Sequence, residues 1–189
     1  MSKALIVEKL PHAVVVHFNR PAIRSPLSIF VLEELHDILD QTGGENIIFT
    51  GKTDVFASGA DLREIARVTG ETAAREFALR GQSLMNKIAD KTAIAAINGF
   101  CFGGALDLAL SCTKRIAAPN ALFSHPGADL GIMTGWGGTQ RLPRLVGEAA
   151  ALEMFLTAQR VSAREALKIG LIDNISTNPL ESALKLLAE

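Results

Sequence analysis

The segment GFCFGGALDLALSC, residues 99–112, sets the adjacent glycines Gly103 and Gly104 just ahead of a carboxylate, Asp107, inside an otherwise apolar run. A strand over 93–98 enters this glycine turn, and a helix leaves it from about Gly104. Backbone N–H groups at the start of such a helix have no intrahelical acceptor and sit at the positive end of its dipole. Without side chains at 103 and 104, a ligand oxygen can approach those amides closely. The chemistry on offer is anion binding, of a phosphate or of an oxyanion that develops during a reaction, and spacing alone does not choose between them. The pattern lacks the glycine spacing and the following acidic residue of a dinucleotide fingerprint.

A second stretch, DVFASGADLREI at 54–65, repeats the arrangement, with Ser58-Gly59-Ala60 between a strand and a helix. Two such loops on neighbouring strands can aim one amide each at a single carbonyl oxygen. Asp107, in the first helical turn, would favour the helix dipole by about 0.3–1 kcal/mol. Burial beneath an apolar pocket would instead raise its pKa and suit it to proton transfer. In FSHPGADLG, residues 123–131, His125 titrates near neutrality. It is a catalytic candidate, with a hydrogen-bonded structural role as the alternative.

The elements that must position these residues alternate between the two periodicities. KALIVEKL and AVVVHFN flank Pro11-His12 as a β-hairpin. Ser28 caps a helix running to about Leu39, with Leu27 and Leu32 as its hydrophobic staple and Leu32, Leu35 and Leu39 on one face. NIIFTG is a short strand ended by Gly51. Between residues 71 and 90, Ala74, Phe77, Ala78, Gly81, Leu84, Met85 and Ile88 recur at helical steps. TAIAAING is apolar enough for a strand covered on both faces. Ser162 and Glu165 form a capping box for a short helix closed by Gly170. The whole reads as one layered α/β domain.

Composition narrows the function classes. The chain has 189 residues, 48% of them hydrophobic, enough for a substantial core. Nineteen basic against twenty acidic residues leave a net charge of −1, so no overall field draws it to nucleic acid or anionic lipid. Five per cent aromatic residues and no tyrosine argue against a base-stacking platform. No apolar run reaches a membrane-spanning length, and the first residues are unlike a signal peptide, so a cytoplasmic protein is expected. Cys101 and Cys112 lack metal-ligand spacing and read as buried, reduced thiols; neither a metal site nor a redox cofactor is expected.

Five motifs in order resemble the crotonase superfamily, the enoyl-CoA hydratase and isomerase relatives: FNRPAIRSPLS at 18–28, FASGADLREI at 56–65, AAINGFCFGGALDLALSC at 95–112, LGIMTGWGGTQRLPRLVG at 130–147 and LTAQRVSAREALKIGLID at 156–173. The resemblance implies an α/β crotonase-like spiral of ββα units. It implies an oxyanion hole for an acyl-CoA thioester, made by the amides of Ser58 and Gly104. Arg24, Ala60, Asp61 and Leu62 become candidate contacts to CoA, which enters only as part of the substrate. Asp61 and Arg24 also have plain readings, as a helix-start acid and a solvated surface charge. Trp136 falls in the loop that lines the acyl pocket in relatives, with an ordinary buried core indole as the equal alternative.

The catalytic acids depart from the hydratase pattern. Hydratases of the family use two glutamates; the first position matches Asp107 and the second matches Gly127. Naphthoate synthases also lack the second, but the acid of their following loop matches Thr134. His125 and Asp129 flank the gap. The resemblance therefore implies an acyl-CoA enzyme of the hydratase/isomerase type with one carboxylate for proton transfer, or else an acyl-CoA-binding relative or complex subunit whose chemistry has decayed. Family members continue into further C-terminal helices, so residues 1–189 are expected to form a single domain in which that region is truncated or absent. An apolar face at Leu180, Ala183, Leu184 and Leu187 would then be left exposed, which predicts a homo-oligomer, a trimer weaker than those of relatives.

Overall fold

The computed structural model describes residues 3–188. Strands β1 (Leu5–Leu10) and β2 (Ala13–Phe18) form the expected antiparallel hairpin. Helix α1 (Ile29–Gln41) starts where Ser28 accepts a hydrogen bond from the Val31 amide, and it buries Leu32, Leu35 and Leu39. From there the chain repeats one move. A first strand joins a large sheet, a second short strand joins a small sheet, and a helix follows.

The first repeat is β3 (Ile47–Thr50), β4 (Val55–Ala57), a single turn α2 (Leu62–Ile65) and the long α3 (Gly70–Ala89). The second is β5 (Ala93–Ile97), β6 (Phe100–Phe102) and α4 (Gly104–Ser111). The third is β7 (Lys114–Ala117), β8 (Leu122–Ser124) and α5 (Gly127–Leu130). Helices α6 (Gly138–Val146) and α7 (Glu148–Thr157), strand β9 (Val161–Ser162), helix α8 (Ala163–Lys168), strand β10 (Asn174–Ile175) and helix α9 (Pro179–Ala188) complete the chain. The large sheet has the order β1-β2-β3-β5-β7-β10 and the small one β4-β6-β8-β9. β3, β5 and β7 run parallel, as do β4, β6 and β8. This is the spiral of ββα units.

Two details hold successive repeats in register. Asn98 accepts from the Gly51 amide at 2.9 Å and donates to the Thr53 and Val55 carbonyls, so the corner after β5 is tied to the corner after β3. A side chain at Gly99 would run into the Asp54 carbonyl, which explains a bare residue there. β5 is buried along its whole length, as its continuous apolar run requires. The Ser162 cap on α8 is also present, its hydroxyl accepting from the Glu165 amide.

Three expectations need correction. The turn at 99–103 contains a strand, β6, and with β4 and β8 it builds a second sheet that hydrophobic periodicity does not reveal. The stripe on α3 splits: Gly81, Leu84, Met85 and Ile88 enter the core, whereas Ala74, Phe77 and Ala78 line a cavity. The apolar face of α9 is not exposed. Ala183 is buried, and Leu180, Leu184 and Leu187 pack on the outer face of the large sheet, against a cluster that includes Val15, Ile48, Ile94, Ala96 and Ile116. That face therefore gives no reason to expect a trimer. The chain itself covers it.

Candidate functional site

Helix α4 is the centre of the site. Its residues Gly104 through Ser111 are all buried, because an eight-residue helix apolar on every side fits only where neighbours cover all of them. Asp107 is carried inside with the rest and is fully buried. The α4 N-terminus abuts the Ser58-Gly59-Ala60 loop. A Cβ on Gly59 would sit 2.7 Å from the Gly104 nitrogen and 2.6 Å from the Phe102 carbonyl oxygen. The Gly59 backbone has φ +88°, a left-handed value that glycine adopts freely. Both demands fall on the same residue, and together they let the two loops press against each other. On its other side this loop is tied to the segment before α1, where the Leu27 amide donates to the Gly59 carbonyl at 2.8 Å. Among the described residues, neither the Ser58 amide nor the Gly104 amide donates to a protein acceptor.

Both amide-bearing residues line a cavity of ≈ 260 Å³. Its walls are apolar and come from α2, α3 and the loop before α6; they include Leu62, Phe77, Met133 and Trp136. Trp136 is wedged between helices. A Cβ at Gly81 on α3, or at Gly104 on α4, would overlap its indole ring. These glycines therefore serve packing as well as access. The loop carrying Trp136 is fastened by Gln82, which donates to the Gly135 carbonyl at 2.8 Å, and by a tilted ring contact with Phe77 at 5.8 Å between centroids.

His125, directly after β8, also lines the cavity, although its side chain is only 3% exposed. Asp107 is not part of the lining. It lies behind His125, with Oδ1 at 3.6 Å from His125 Nε2, and its Oδ2 accepts a short hydrogen bond from the Thr134 hydroxyl. Burial pushes the Asp107 carboxyl up to about 7, against the lowering effects of the Thr134 hydroxyl, Arg141 and the Trp136 amide. Burial also pushes the His125 imidazole down to about 4. At neutral pH His125 is uncharged, so the contact is not a salt bridge. Gly138 is part of this arrangement, since a Cβ there would overlap Asp107 Oδ1 and lie 3.1 Å from His125 Cε1.

The sequence-derived candidates separate. Ser58, Ala60, Leu62, Gly104 and His125 converge on the cavity. Asp61 does not line it. It caps α2, and its carboxylate is engaged by the Arg63 amide and guanidinium, which hold its pKa below the usual carboxylate range. Its helix-start reading is the one its contacts match. Arg24 is exposed, outside the lining, and ends a 3₁₀ turn in a left-handed conformation. Asp129 is exposed on α5. Cys101 and Cys112 are buried free thiols. Thr134 and Gly138 were not expected as partners of Asp107, because the contact joins residues 27 and 31 positions apart in a loop and a helix with no shared periodicity.

The chain is similar in sequence and fold to known proteins. The enoyl-CoA hydratase/isomerase family model matches residues 11–188. Crotonyl-CoA hydratase of Syntrophomonas wolfei is 40% identical over 178 residues, a match covering 90% of this chain and 68% of that protein. A probable enoyl-CoA hydratase of Bacillus subtilis is 42% identical over 175 residues, covering 89% of this chain and 67% of that one. The crystal structure of an enoyl-CoA hydratase from Bacillus anthracis superposes with a TM-score of 0.91 at 36% identity, covering 98% of this chain and 76% of that one. With family match, sequence relatives and fold in agreement, the chain belongs to the enoyl-CoA hydratase/isomerase family of the crotonase superfamily.

Proposed function

We propose that the protein binds an acyl-CoA thioester with its carbonyl oxygen between the Ser58 and Gly104 amides, and that it catalyses chemistry through the thioester enolate. One observation carries this reading: an apolar cavity lined by Ser58 and Gly104, whose backbone amides have no protein acceptor among the described residues, with an ionisable carboxyl buried close by. Donors fixed before the reaction stabilise an oxyanion without reorganising, and in a dry site they do so strongly. Asp107 is the proton-holding group, poised by burial near neutral pH. CoA enters as part of the substrate. Among the described residues no three His, Cys, Asp or Glu converge as a metal-binding group, and no helix is long and apolar enough to cross a membrane. We place the protein in the cytoplasm, in keeping with its two buried, unpaired thiols.

A relative that binds acyl-CoA without turning it over is the second reading. The absence of Asp107 from the cavity lining favours it. Exchange separates the two. Incubated with butyryl-CoA in deuterated water, an active enzyme incorporates deuterium at the α-carbon, read by mass, because exchange needs only the enolate step. Binding by calorimetry without exchange would select the second reading.

Binding has an internal reporter. Trp136 is the sole tryptophan, 3% exposed, and it lines the cavity. Butyryl-CoA should alter its emission intensity with the same affinity that calorimetry gives. Calorimetric saturation with unchanged emission would place the ligand elsewhere.

A further inference from the structure

The carboxyl that holds the proton and the cavity that would hold the thioester are separated by one side chain, His125. A structural histidine normally satisfies at least one ring nitrogen. This one satisfies neither: His125 Nδ1, His125 Nε2 and Asp107 Oδ1 are all buried without a hydrogen-bond partner among the described residues. The Thr134 hydroxyl occupies Oδ2 of Asp107, which leaves Oδ1 as the oxygen facing the ring, 3.6 Å from Nε2. Gly138 contributes no side chain at the point where one would overlap Oδ1. The ring itself is steadied by the Phe155 face, with centroids 5.1 Å apart.

Resting on the acyl-CoA reading above, we propose that His125 and Asp107 form a proton relay, with His125 as the catalytic residue at the ligand and Asp107 as the group behind it that receives the second proton. In the reactive form of the pair Asp107 is ionised and His125 is neutral, with its proton on Nε2. The α C–H bond breaks; its proton goes to the lone pair of Nδ1, and its electrons go into the enolate held by the two amides. In the same step the Nε2–H bond breaks and its proton joins Asp107 Oδ1. The negative charge has moved from Asp107 to the enolate, and the imidazole is neutral before and after. Reversal returns the proton to the α-carbon, or to the γ-carbon of an enoyl thioester. No oxidant or co-reactant is consumed. The imidazole never has to carry a full charge in its buried position, in line with burial disfavouring the imidazolium. The charged or titratable groups facing Asp107 from neighbouring elements are Arg141 of α6 and Cys101 of β6. Neither replaces the ring as a path to the cavity, since neither belongs to its lining.

Two measurements on the full chain test the relay. First, His125→Gln should keep butyryl-CoA affinity while α-proton exchange falls about 10²-fold or more, and added imidazole should restore part of the exchange in His125→Ala. Second, the ¹⁵N ring shifts of His125 should follow the titration of Asp107 around neutral pH and lose that step in Asp107→Asn. Exchange that survives His125→Gln, or ¹⁵N titration curves identical with and without Asp107→Asn, overturns the relay and leaves the acyl-CoA reading standing. A wild-type protein that exchanges no deuterium overturns the enzymatic reading and the relay with it, whereas the ¹⁵N result still reports whether the pair is coupled.

Discussion

Asp107→Asn should melt several degrees higher than the wild type at pH 8 while losing about 10²–10⁴ of its α-proton exchange. The sign follows from linkage. Asp107 has its folded-state pKa raised to about 7 by burial, from an ordinary value near 4. Such a group contributes its stability fully below the unfolded pKa and loses it as pH rises through the folded one. By pH 8 the loss is on the order of 4 kcal/mol. An asparagine of the same shape avoids it. Its amide oxygen can accept from Thr134, and its amide group can donate to Nε2 of His125 once the neutral ring, freed of the carboxylate, carries its proton on Nδ1 instead. Allowing for the remaining cost of a buried amide, the gain is about 1–3 kcal/mol, or about 3–10 °C for a chain of this size. It should shrink as pH falls and vanish near pH 3. His125 works in the opposite direction. With its pKa lowered to about 4, its contribution is present above the unfolded value near 6.5 and is lost as pH falls through 4. A variant that melts below the wild type at pH 8, or whose gain does not depend on pH, would contradict the burial argument. Stability gained where activity is lost is the expected signature of a group buried for its chemistry.

The parts legible in the sequence were those fixed by local periodicity and capping. The hairpin around Pro11, the Ser28 and Ser162 caps, the buried β5 and the turn into α4 all appear where spacing puts them. Periodicity identifies an apolar face but not what covers it, and this accounts for the principal corrections. The face of α9 meets the outer side of the large sheet, formed by residues more than sixty positions earlier in the chain, Ile116 among them. The stripe on α3 serves the core along one half and the cavity along the other. The small sheet leaves no periodic signature in the sequence because β4, β6 and β8 are three residues each, too short to show a period of two. Within the site, the glycine loops and Asp107 were recognisable. The seal over Asp107 was not, because Thr134 and Gly138 reach it only through the loop that Trp136 anchors between α3 and α4.

Hydration of crotonyl-CoA should be about 10²–10⁴ slower than an enzyme with two acids would achieve, and Gly127→Glu alone should not restore it. The first half follows from the family resemblance, in which Gly127 takes the position of the second glutamate. Without a group there to activate water, α-proton exchange is affected far less than hydration. The second half follows from packing. A glutamate at 127 could act only if its side chain had room to leave the backbone, but a Cβ at Gly127 would overlap the backbone carbonyl oxygen of Ile132. That carbonyl belongs to a segment folded back on Gly127, whose own oxygen accepts from the Ile132 amide at 3.0 Å. The obstruction is main chain, not a side chain that can rotate away. Overpacking of this kind costs about 1–3 kcal/mol. Gly127→Ala and Gly127→Glu should therefore lower the melting temperature by similar amounts, since the first side-chain carbon causes the clash, and neither should hydrate crotonyl-CoA more than a few-fold faster than the wild type. A Gly127→Glu protein with unchanged melting and hydration raised about 100-fold would show that the segment at 132 yields freely and that one missing carboxylate is the whole defect. Fast hydration by the wild type would show that another group already activates water.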